Sequence, residues 1–260
     1  MLALATLVFV VPFYYVILAS VKHSDQIFSY PPKLLPFPLY LGNFKELLGQ
    51  TQFLRWMLNT LIVAGSVAAI KVLIDSMAGY ALAKLQITGK RIIFILMLIL
   101  LMVPLSALIV PLWTLIRMFG LLDTYWALIL PALANPLGVF LMRQFILGLP
   151  SDLMNAARLD GMSEFSIYWR IVLPLTAPAL AVLAIFSVMW RWNEFLWPMV
   201  VLSRSESFTL QLALNSFQGD LETQWNYLLA MTVITLIPVT VVFAFLQRHI
   251  TAGIAASGVK

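Results

Sequence analysis

Long apolar stretches alternate with polar connections along this chain of 260 residues. Each stretch approaches the length of about 20 apolar residues that a helix needs to cross the hydrocarbon core of a bilayer. Lipid offers no water to bond with open backbone groups, and no stretch shows the alternation typical of barrel strands. The pattern therefore predicts an all-α membrane protein with six transmembrane helices. The predicted spans are residues 1–21, 59–82, 92–116, 125–142, 177–202 and 227–246.

The composition points to the same class of protein. Hydrophobic residues make up 62% of the chain and charged residues only 10%, whereas soluble domains carry about 25% charged residues. The absence of cysteine excludes disulfides and Cys-based metal or redox sites. Lys and Arg number 16 against 11 Asp and Glu, but they are scattered between the apolar stretches. This distribution does not indicate a nucleic-acid partner.

The charges of the connections predict the orientation of the spans, because cytoplasmic loops are enriched in Lys and Arg. Residues 82–91 and the C-terminal tail are basic and contain no acid. Their basic residues are Lys84, Lys90, Arg91, Arg248 and Lys260. The connection 203–226 is acidic, and its charged residues are Arg204, Glu206, Asp220 and Glu222. We therefore expect 203–226 outside, and both termini and the connection 149–174 in the cytoplasm.

Residues 149–174 form the longest mixed-charge segment of the chain. Ser151 predicts a helix start, with its hydroxyl as the N-cap. Gly161 predicts the end of that helix, because glycine readily adopts the left-handed conformation that closes a helix. Ser163 and Glu164 predict a second start. We expect two short helices at an angle.

This segment resembles the cytoplasmic loop of permeases of binding-protein-dependent ABC importers. The family pattern is Glu-Ala-Ala, three residues, Gly, nine residues and then Ile-x-Leu-Pro. The residues in register are Ala156, Ala157, Gly161, Ile171, Leu173 and Pro174. Asn155 stands where the pattern has Glu. The segments 157–161 and 192–198 are similar to the carbohydrate-uptake branch of these permeases, the maltose-transporter type.

The resemblance implies a type I ABC importer permease fold, with residues 1–260 as a single transmembrane domain. It implies that the loop 149–174 carries a coupling helix that docks in a groove of an ATPase subunit. The residues that the resemblance assigns to coupling are Asn155, Ala156, Ala157, Arg158, Leu159, Asp160 and Gly161. The alternative is an amphipathic helix that lies on the lipid surface.

The resemblance also implies the partners and the location. These are a homologous second permease, two ATPase subunits, an extracytoplasmic solute-binding protein and a sugar substrate, in the cytoplasmic membrane of a bacterium or archaeon. ATP and Mg²⁺ are expected on the ATPase subunits and no cofactor on this chain, which lacks a G-x-x-x-x-G-K-[ST] phosphate loop. Glycerol phosphate or a related polyol phosphate is the alternative substrate. A stand-alone secondary transporter, which requires internal repeats and broken helices, and a membrane enzyme are the rivals of other classes.

Charged residues inside predicted spans are costly in lipid and normally face protein or a watery cavity. Lys71 and Asp75 stand four residues apart, a spacing that favours a structural ion pair. Arg191 and Glu194 stand three apart. Aromatic faces beside hydrogen-bonding groups suit a sugar. The residues predicted for the substrate path are therefore Arg191, Trp192, Asn193 and Glu194, with an interfacial-anchor role as the alternative for Trp192 and Trp197.

Two outer connections complete the predictions. Prolines at 31, 32, 36 and 38 favour extended chain over a globular insert in residues 22–56. The connection 203–226 contains leucines and Phe217 in a segment otherwise suited to water, and exposed apolar residues need a partner. In the resembling permeases, a loop between the last two spans reaches into the binding protein. The residues predicted for this contact are Gln211, Leu212, Leu214, Asn215 and Phe217.

Overall fold

The computed structural model describes residues 2–31, 37–218 and 223–257, and it describes their side chains except at residues 2–8, 243 and 245–257. These ranges are helical and contain no β-strand apart from one isolated bridge between Gln218 and Thr223. Several residues named above lie outside the described residues: Met1, Pro32, Pro36, Asp220, Glu222 and Lys260. The side chain of Arg248 also lies outside the description.

The helices follow the apolar stretches and begin or end at polar residues, glycine or proline. The first part of the chain forms α1 (Leu2–Ser20), α2 (Ser24–Ile27), α3 (Gly42–Gln50), α4 (Phe53–Lys84), α5 (Lys90–Met102), α6 (Leu105–Met118), α7 (Tyr125–Leu133) and α8 (Leu137–Leu147). The predicted loop forms α9 (Ser151–Leu159), α10 (Glu164–Ile167), a π-helical turn (Tyr168–Val172) and α11 (Leu173–Leu175). The last part forms α12 (Ala177–Trp192), α13 (Leu196–Val201), a 3₁₀ turn (Ser205–Ser207), α14 (Leu210–Ser216) and α15 (Trp225–Ser257).

The prediction of an all-α membrane protein is confirmed, but the number of spans is not. Among the described residues, three helical stretches are long and apolar enough to cross a membrane, or up to five if each of two bent pairs counts as one span. The three are Phe53–Lys84, Tyr125–Leu147 and Trp225–Val242. The first predicted span corresponds to α1, in which Phe9–Ser20 is an apolar helix shorter than these three.

The predicted span 92–116 is wrong as a single straight helix. Helices α5 and α6 meet at an angle of 102°. Val103 has an extended backbone (φ −80°, ψ 116°), because the ring of Pro104 disfavours the helical conformation in the residue before it. Pro104 then occupies the N-cap of α6. A proline that the sequence places inside an apolar stretch is therefore the point at which the helix breaks.

The predicted span 177–202 also requires correction. Helix α12 ends at Trp192, and Asn193 is its C-cap. The Asn193 amide donates to the carbonyl oxygen of Met189 at 2.8 Å, the kind of side-chain bond that competes with helix continuation. The chain resumes as α13 only at Leu196. The predicted substrate-path residues therefore lie at a helix end and not within a continuous helix.

The chain divides into two compact units. One consists of residues 1–60 and 202–241, and the other of residues 61–201 and 242–260. In the first, Asn43 is buried and its amide donates to the carbonyl oxygens of Ser20 and Lys22 at 2.9 and 2.7 Å. The largest described cluster of the second unit surrounds the loop 149–174. The assignment of residues 1–260 to a single domain stays a prediction.

The prolines predict an extended connection over residues 22–56, but this connection is not purely extended. It contains the short helix α2 and the two-turn helix α3. Leu47 of α3 is fully buried, and Glu46 accepts hydrogen bonds from Tyr40 and Tyr227 at 3.0 and 3.3 Å. Of the prolines that the structure describes, Pro31 and Pro38 lie outside the helices, between α2 and α3.

Candidate functional site

The loop 149–174 begins with helix α9, whose start differs from the prediction. Pro150 occupies the N-cap position, and no side chain caps the first turn. The Ser151 hydroxyl instead accepts a hydrogen bond from Lys84 Nζ at 3.1 Å. Lys84 Nζ also donates to the carbonyl oxygen of Leu149 at 2.7 Å. The predicted N-cap role of Ser151 is therefore wrong, because its hydroxyl is used to bind the end of α4.

The end of α9 confirms the prediction at Gly161. Gly161 has a φ of +80°, and its N–H donates to the Arg158 oxygen at 3.0 Å. The N–H of Met162 donates to the Ala157 oxygen, also at 3.0 Å. These two bonds form the Schellman motif, in which a residue of positive φ closes a helix. Ser163 then caps α10 by accepting from the Ser166 N–H at 3.3 Å, as predicted.

Helix α9 has one buried face and one exposed face. Met154 and Ala157 are buried in a cluster with Tyr80 and Ile167. Asn155 and Ala156 are exposed, as are Leu153 and Leu159, the latter with 90% of its surface accessible. The inner face is anchored by apolar packing, while the outer face presents leucine, alanine and asparagine side chains that no described residue covers.

A charged network joins the loop to α4. Arg158 Nε and Nη2 donate to the two oxygens of Glu164 at 2.6 and 3.3 Å. Arg158 Nη1 donates to Asn155 Oδ1 at 2.8 Å. The Tyr80 hydroxyl donates to Glu164 Oε2 at 2.6 Å. The hydrogen bond from Arg158 lowers the pKa of the Glu164 carboxyl, partial burial opposes this shift, and the bond from Tyr80 adds to it.

Sequence reasoning missed the contribution of α4 to this site. Ser76, Tyr80 and Lys84 each bond to the loop, and none of the three was predicted to do so. One signal was present, because the three polar residues recur every fourth position near the end of a predicted span. Such spacing places them on one face of a helix.

The predicted substrate-path residues are only partly brought together. Arg191 Nη1 forms a short ion pair with Glu194 Oε2, and both side chains are largely buried. Asn193 is exposed and bonds to its own helix. Trp192 is buried, and Trp197 is buried with its indole N–H donating to the Ala127 oxygen at 2.8 Å. The alternative of interfacial anchors is therefore wrong for both tryptophans in this chain.

Lys71 and Asp75 form the predicted ion pair. Lys71 Nζ lies 2.8 Å from Asp75 Oδ2 and donates to the Asn135 oxygen at 2.8 Å. Both side chains are buried, so the two charges compensate each other away from water. The carboxylate lies so close to Gly138 that a Cβ there would overlap it. The pair therefore supports packing between α4 and α8.

The predicted binding-protein loop is more buried than expected. Leu212 and Phe217 are buried, Gln211 and Leu214 are partly buried, and Asn215 is exposed. The idea that its apolar residues are exposed is therefore wrong for the described part of the loop. They pack within their own unit because α14 folds into a short amphipathic helix. Contact with a binding protein stays a prediction.

The same loop is hydrogen-bonded to the first turns of α4. The Trp56 indole N–H donates to the Ser205 oxygen at 2.7 Å. The Asn59 amide donates to the oxygens of Glu206 and Phe208, both at 2.9 Å. These bonds hold the 3₁₀ turn against α4. Among the residues that the structure describes, no three His, Asp or Glu side chains are grouped to hold a metal ion.

The family follows from comparison with known proteins. Residues 75–255 match the model of the family described as "Binding-protein-dependent transport system inner membrane component". The chain belongs to this family. It is therefore a membrane-embedded permease of a transport system and not an enzyme, and the matched region includes the whole network around Arg158 and Glu164.

This permease is similar to several characterised transport components. It is 39% identical to the arabinooligosaccharides transport system permease protein AraQ of Halalkalibacterium halodurans, over 96% of this chain and 91% of AraQ. It is 31% identical to the sn-glycerol-3-phosphate transport system permease protein UgpE of Yersinia pestis, over 99% and 94% of the two chains. A chain in the crystal structure of a bacterial ABC transporter involved in the import of the acidic polysaccharide alginate superposes with a TM-score of 0.85, at 25% identity, over 96% of this chain and 93% of that chain.

Proposed function

We propose that this permease is one of two transmembrane subunits of an ATP-driven sugar importer, and that α9 docks on a separate ATPase subunit. One observation carries the docking proposal. The inner face of α9 is held by Met154 and Ala157, while Leu153, Ala156 and Leu159 remain uncovered on its outer face. A helix that presents small and apolar side chains from a fixed base suits a groove on a protein partner.

The similarity to AraQ and to the alginate importer favours a saccharide as the solute. The Arg191 and Glu194 pair adds a physical argument. Glu194 neutralises the guanidinium of Arg191, so this arginine does not offer an uncompensated positive charge to a phosphate. A neutral or weakly charged sugar therefore fits these residues better than a polyol phosphate. The similarity to UgpE keeps glycerol phosphate as the second candidate.

The proposal includes an orientation and a set of partners. Both termini and the loop 149–174 lie in the cytoplasm, as the basic residues Lys84, Lys90 and Arg91 favour. A second permease completes the pathway, two ATPase subunits bind ATP and Mg²⁺, and a binding protein delivers the solute on the outside. Of the five residues predicted for contact with the binding protein, Asn215 of α14 is the exposed one.

Site-specific crosslinking tests the docking. Because this chain contains no native cysteine, an introduced cysteine is its only thiol. Ala156→Cys is introduced into the permease coexpressed with its transport partners, and a short thiol crosslinker is added to membranes. We expect a crosslinked product that contains the ATPase subunit. Asn215→Cys is the matched control, because it is also exposed but lies on the predicted outer side. Equal crosslinking at both positions, or purification of the permease without an ATPase subunit, would contradict the proposal.

Uptake by the reconstituted importer tests the solute. We expect an oligosaccharide to stimulate ATP hydrolysis and to be taken up, while sn-glycerol 3-phosphate does neither. The opposite result would assign the permease to polyol phosphate transport without changing its architecture.

A further inference from the structure

Three polar residues on one face of α4 hold the loop 149–174. Ser76, Tyr80 and Lys84 are spaced four residues apart, so they lie on successive turns of the same face. They contact three different parts of the loop. Lys84 bonds to its beginning at Leu149 and Ser151, Tyr80 bonds to Glu164 in α10, and the Ser76 hydroxyl lies 2.7 Å from the Tyr168 hydroxyl in the π-helical turn.

Glu164 is the residue at which these contacts converge. Its carboxylate accepts from Tyr80 of α4 and from Arg158 of α9, while its own backbone belongs to α10. One side chain therefore joins three helices. Hydrogen bonds to a charged acceptor are shorter and stronger than neutral ones, so Glu164 adds to the apolar packing beneath it a constraint of defined geometry on the position of α9 relative to α4.

The apolar contacts of the same interface do not specify register to the same degree. Met154, Ala157 and Ile167 pack around Tyr80, but apolar burial is non-directional and tolerates sliding. Sliding of α9 along α4 would lengthen the bonds to Tyr80 and Lys84 beyond hydrogen-bonding distance before it removed the apolar contacts. The polar contacts are thus the part of the interface through which a displacement of α9 also displaces α4.

Asn155 leaves the positive charge of Arg158 available to Glu164. Its amide oxygen accepts one bond from Arg158 Nη1, at 2.8 Å, without contributing a negative charge. Among the described residues, Glu164 is the carboxylate that forms an ion pair with the Arg158 guanidinium. A carboxylate at position 155 would lie three residues before Arg158 and would compete with Glu164 for the guanidinium.

We infer that Tyr80 and Glu164 are positioning residues for energy coupling: the Tyr80 to Glu164 to Arg158 chain transmits the displacement of α9 to the spanning helix α4. This inference rests on the proposed function, because it assumes that α9 receives the displacement from an ATPase subunit. It adds to that proposal the residues through which the displacement enters the membrane domain.

The test measures solute transported per ATP hydrolysed by the complete importer in proteoliposomes with binding protein present. The variants are Glu164→Ala, Glu164→Gln, Tyr80→Phe and the double variant Tyr80→Phe with Glu164→Ala. Tyr30→Phe is the matched control, because it removes the same hydroxyl from a residue that is 97% exposed. Copurification of the ATPase subunit is measured for every variant.

We expect Glu164→Ala to lower the transport ratio by about two- to tenfold, the range of a net hydrogen bond of typical strength. Glu164→Gln should be intermediate, because the amide oxygen still accepts one bond. Tyr80→Phe should also lower the ratio. The double variant should match Glu164→Ala, because the bond that Tyr80→Phe removes is the one to Glu164. Tyr30→Phe should equal the wild type.

The outcomes separate this inference from the proposed function. An ATPase subunit that copurifies normally with Glu164→Ala and Tyr80→Phe, together with wild-type transport ratios, would overturn the inference and leave the docking proposal intact. Loss of the ATPase subunit from the wild-type permease itself would overturn the docking proposal. If Glu164→Ala fails to assemble, Tyr80→Phe decides alone, because the loss of one hydroxyl retains the ion pair with Arg158 and the packing of the ring.

Discussion

Replacement of Gly161 by valine should uncouple transport from ATP hydrolysis. Gly161 has a φ of +80° and closes α9 through two backbone hydrogen bonds. Its position is open, since a Cβ placed there would meet no atom within 4 Å. A Cβ at this position therefore overlaps no described atom, and the effect that the structure predicts for the substitution is the strain of the positive φ.

The size of that effect follows from the cost of a left-handed conformation. An L-residue in this region costs roughly 1 to 2 kcal/mol, and valine lies at or above the upper end because its branched Cβ resists positive φ. Asparagine tolerates the conformation and should cost least. A change of 1 to 2 kcal/mol in local opening corresponds to roughly 5- to 30-fold faster amide exchange. We expect the order Gly, Asn, Ala and Val in increasing severity.

Two measurements on the purified importer check this. Hydrogen exchange should be accelerated at the amides of Gly161 and Met162, whose bonds close α9. Transport per ATP hydrolysed should fall in the same order across the variants. Gly49→Ala is the control, because Gly49 lies in helix α3, also has open space around it, and does not have a positive φ. That control should leave both readouts unchanged.

Wild-type transport and wild-type solute-stimulated ATP hydrolysis in Gly161→Val would refute the reasoning if exchange at position 162 is accelerated as expected. In that case the end of α9 is distorted without consequence for coupling. Unchanged exchange would show instead that the chain closes the helix in another way and that the positive φ of Gly161 is not required.

Further substitutions test the remaining parts of the molecule. Lys71→Ala should destabilise the permease by about 3 to 5 kcal/mol, because it leaves the buried Asp75 carboxylate without its counter-charge, and a double variant in which Asp75 is also replaced by alanine should recover part of the thermal stability. Asn193→Ala should remove the bond to Met189 at the end of α12, worth roughly 0.5 to 1.5 kcal/mol. Because Asn193 is an exposed residue of the predicted substrate path, the variant should also raise the apparent transport constant with near-normal assembly; reduced assembly at unchanged apparent affinity would assign Asn193 to packing. Leu212→Ala should cost about 2 to 5 kcal/mol because it empties a buried position, and a wild-type melting temperature would contradict that burial. The pKa of Glu164 is lowered in the folded protein, so its ion pair contributes stability above the ordinary glutamate pKa of about 4.3 and loses it as the pH falls through the lowered value. Transport per ATP should therefore be flat through neutral pH, and a decline that begins near neutrality would show that another group controls coupling.

The sequence was sufficient for the class of protein, for the end of α9 and for the start of α10. Apolar length decides that a segment leaves water, and this is a sum over residues that needs no knowledge of their neighbours. Gly161 was readable for a similar reason, since the left-handed conformation is a local property of the backbone. Ser163 was readable as the cap of α10 because its bond reaches only three residues along the chain.

Sequence reasoning failed where two local preferences competed. The apolar stretch around Pro104 satisfies the length of a span, yet the chain bends by 102° there. The stretch that ends at Leu202 also satisfies the length of a span, yet it breaks at Asn193, whose amide bonds back to Met189. Apolar length alone cannot decide whether a proline or asparagine inside a stretch kinks, breaks or merely bends a helix, because that depends on the packing around it.

The network that we assign to coupling was decided by tertiary structure alone. Local sequence shows that Arg158 and Glu164 are close along the chain, and the resemblance drew attention to residues 155–161. Nothing in the sequence brings Tyr80 to Glu164, since 84 residues separate them, and nothing shows that Ser151 binds Lys84 instead of capping α9. Such contacts arise only when two distant helices pack, because the burial of Met154 and Ala157 brings the polar groups above them within hydrogen-bonding distance.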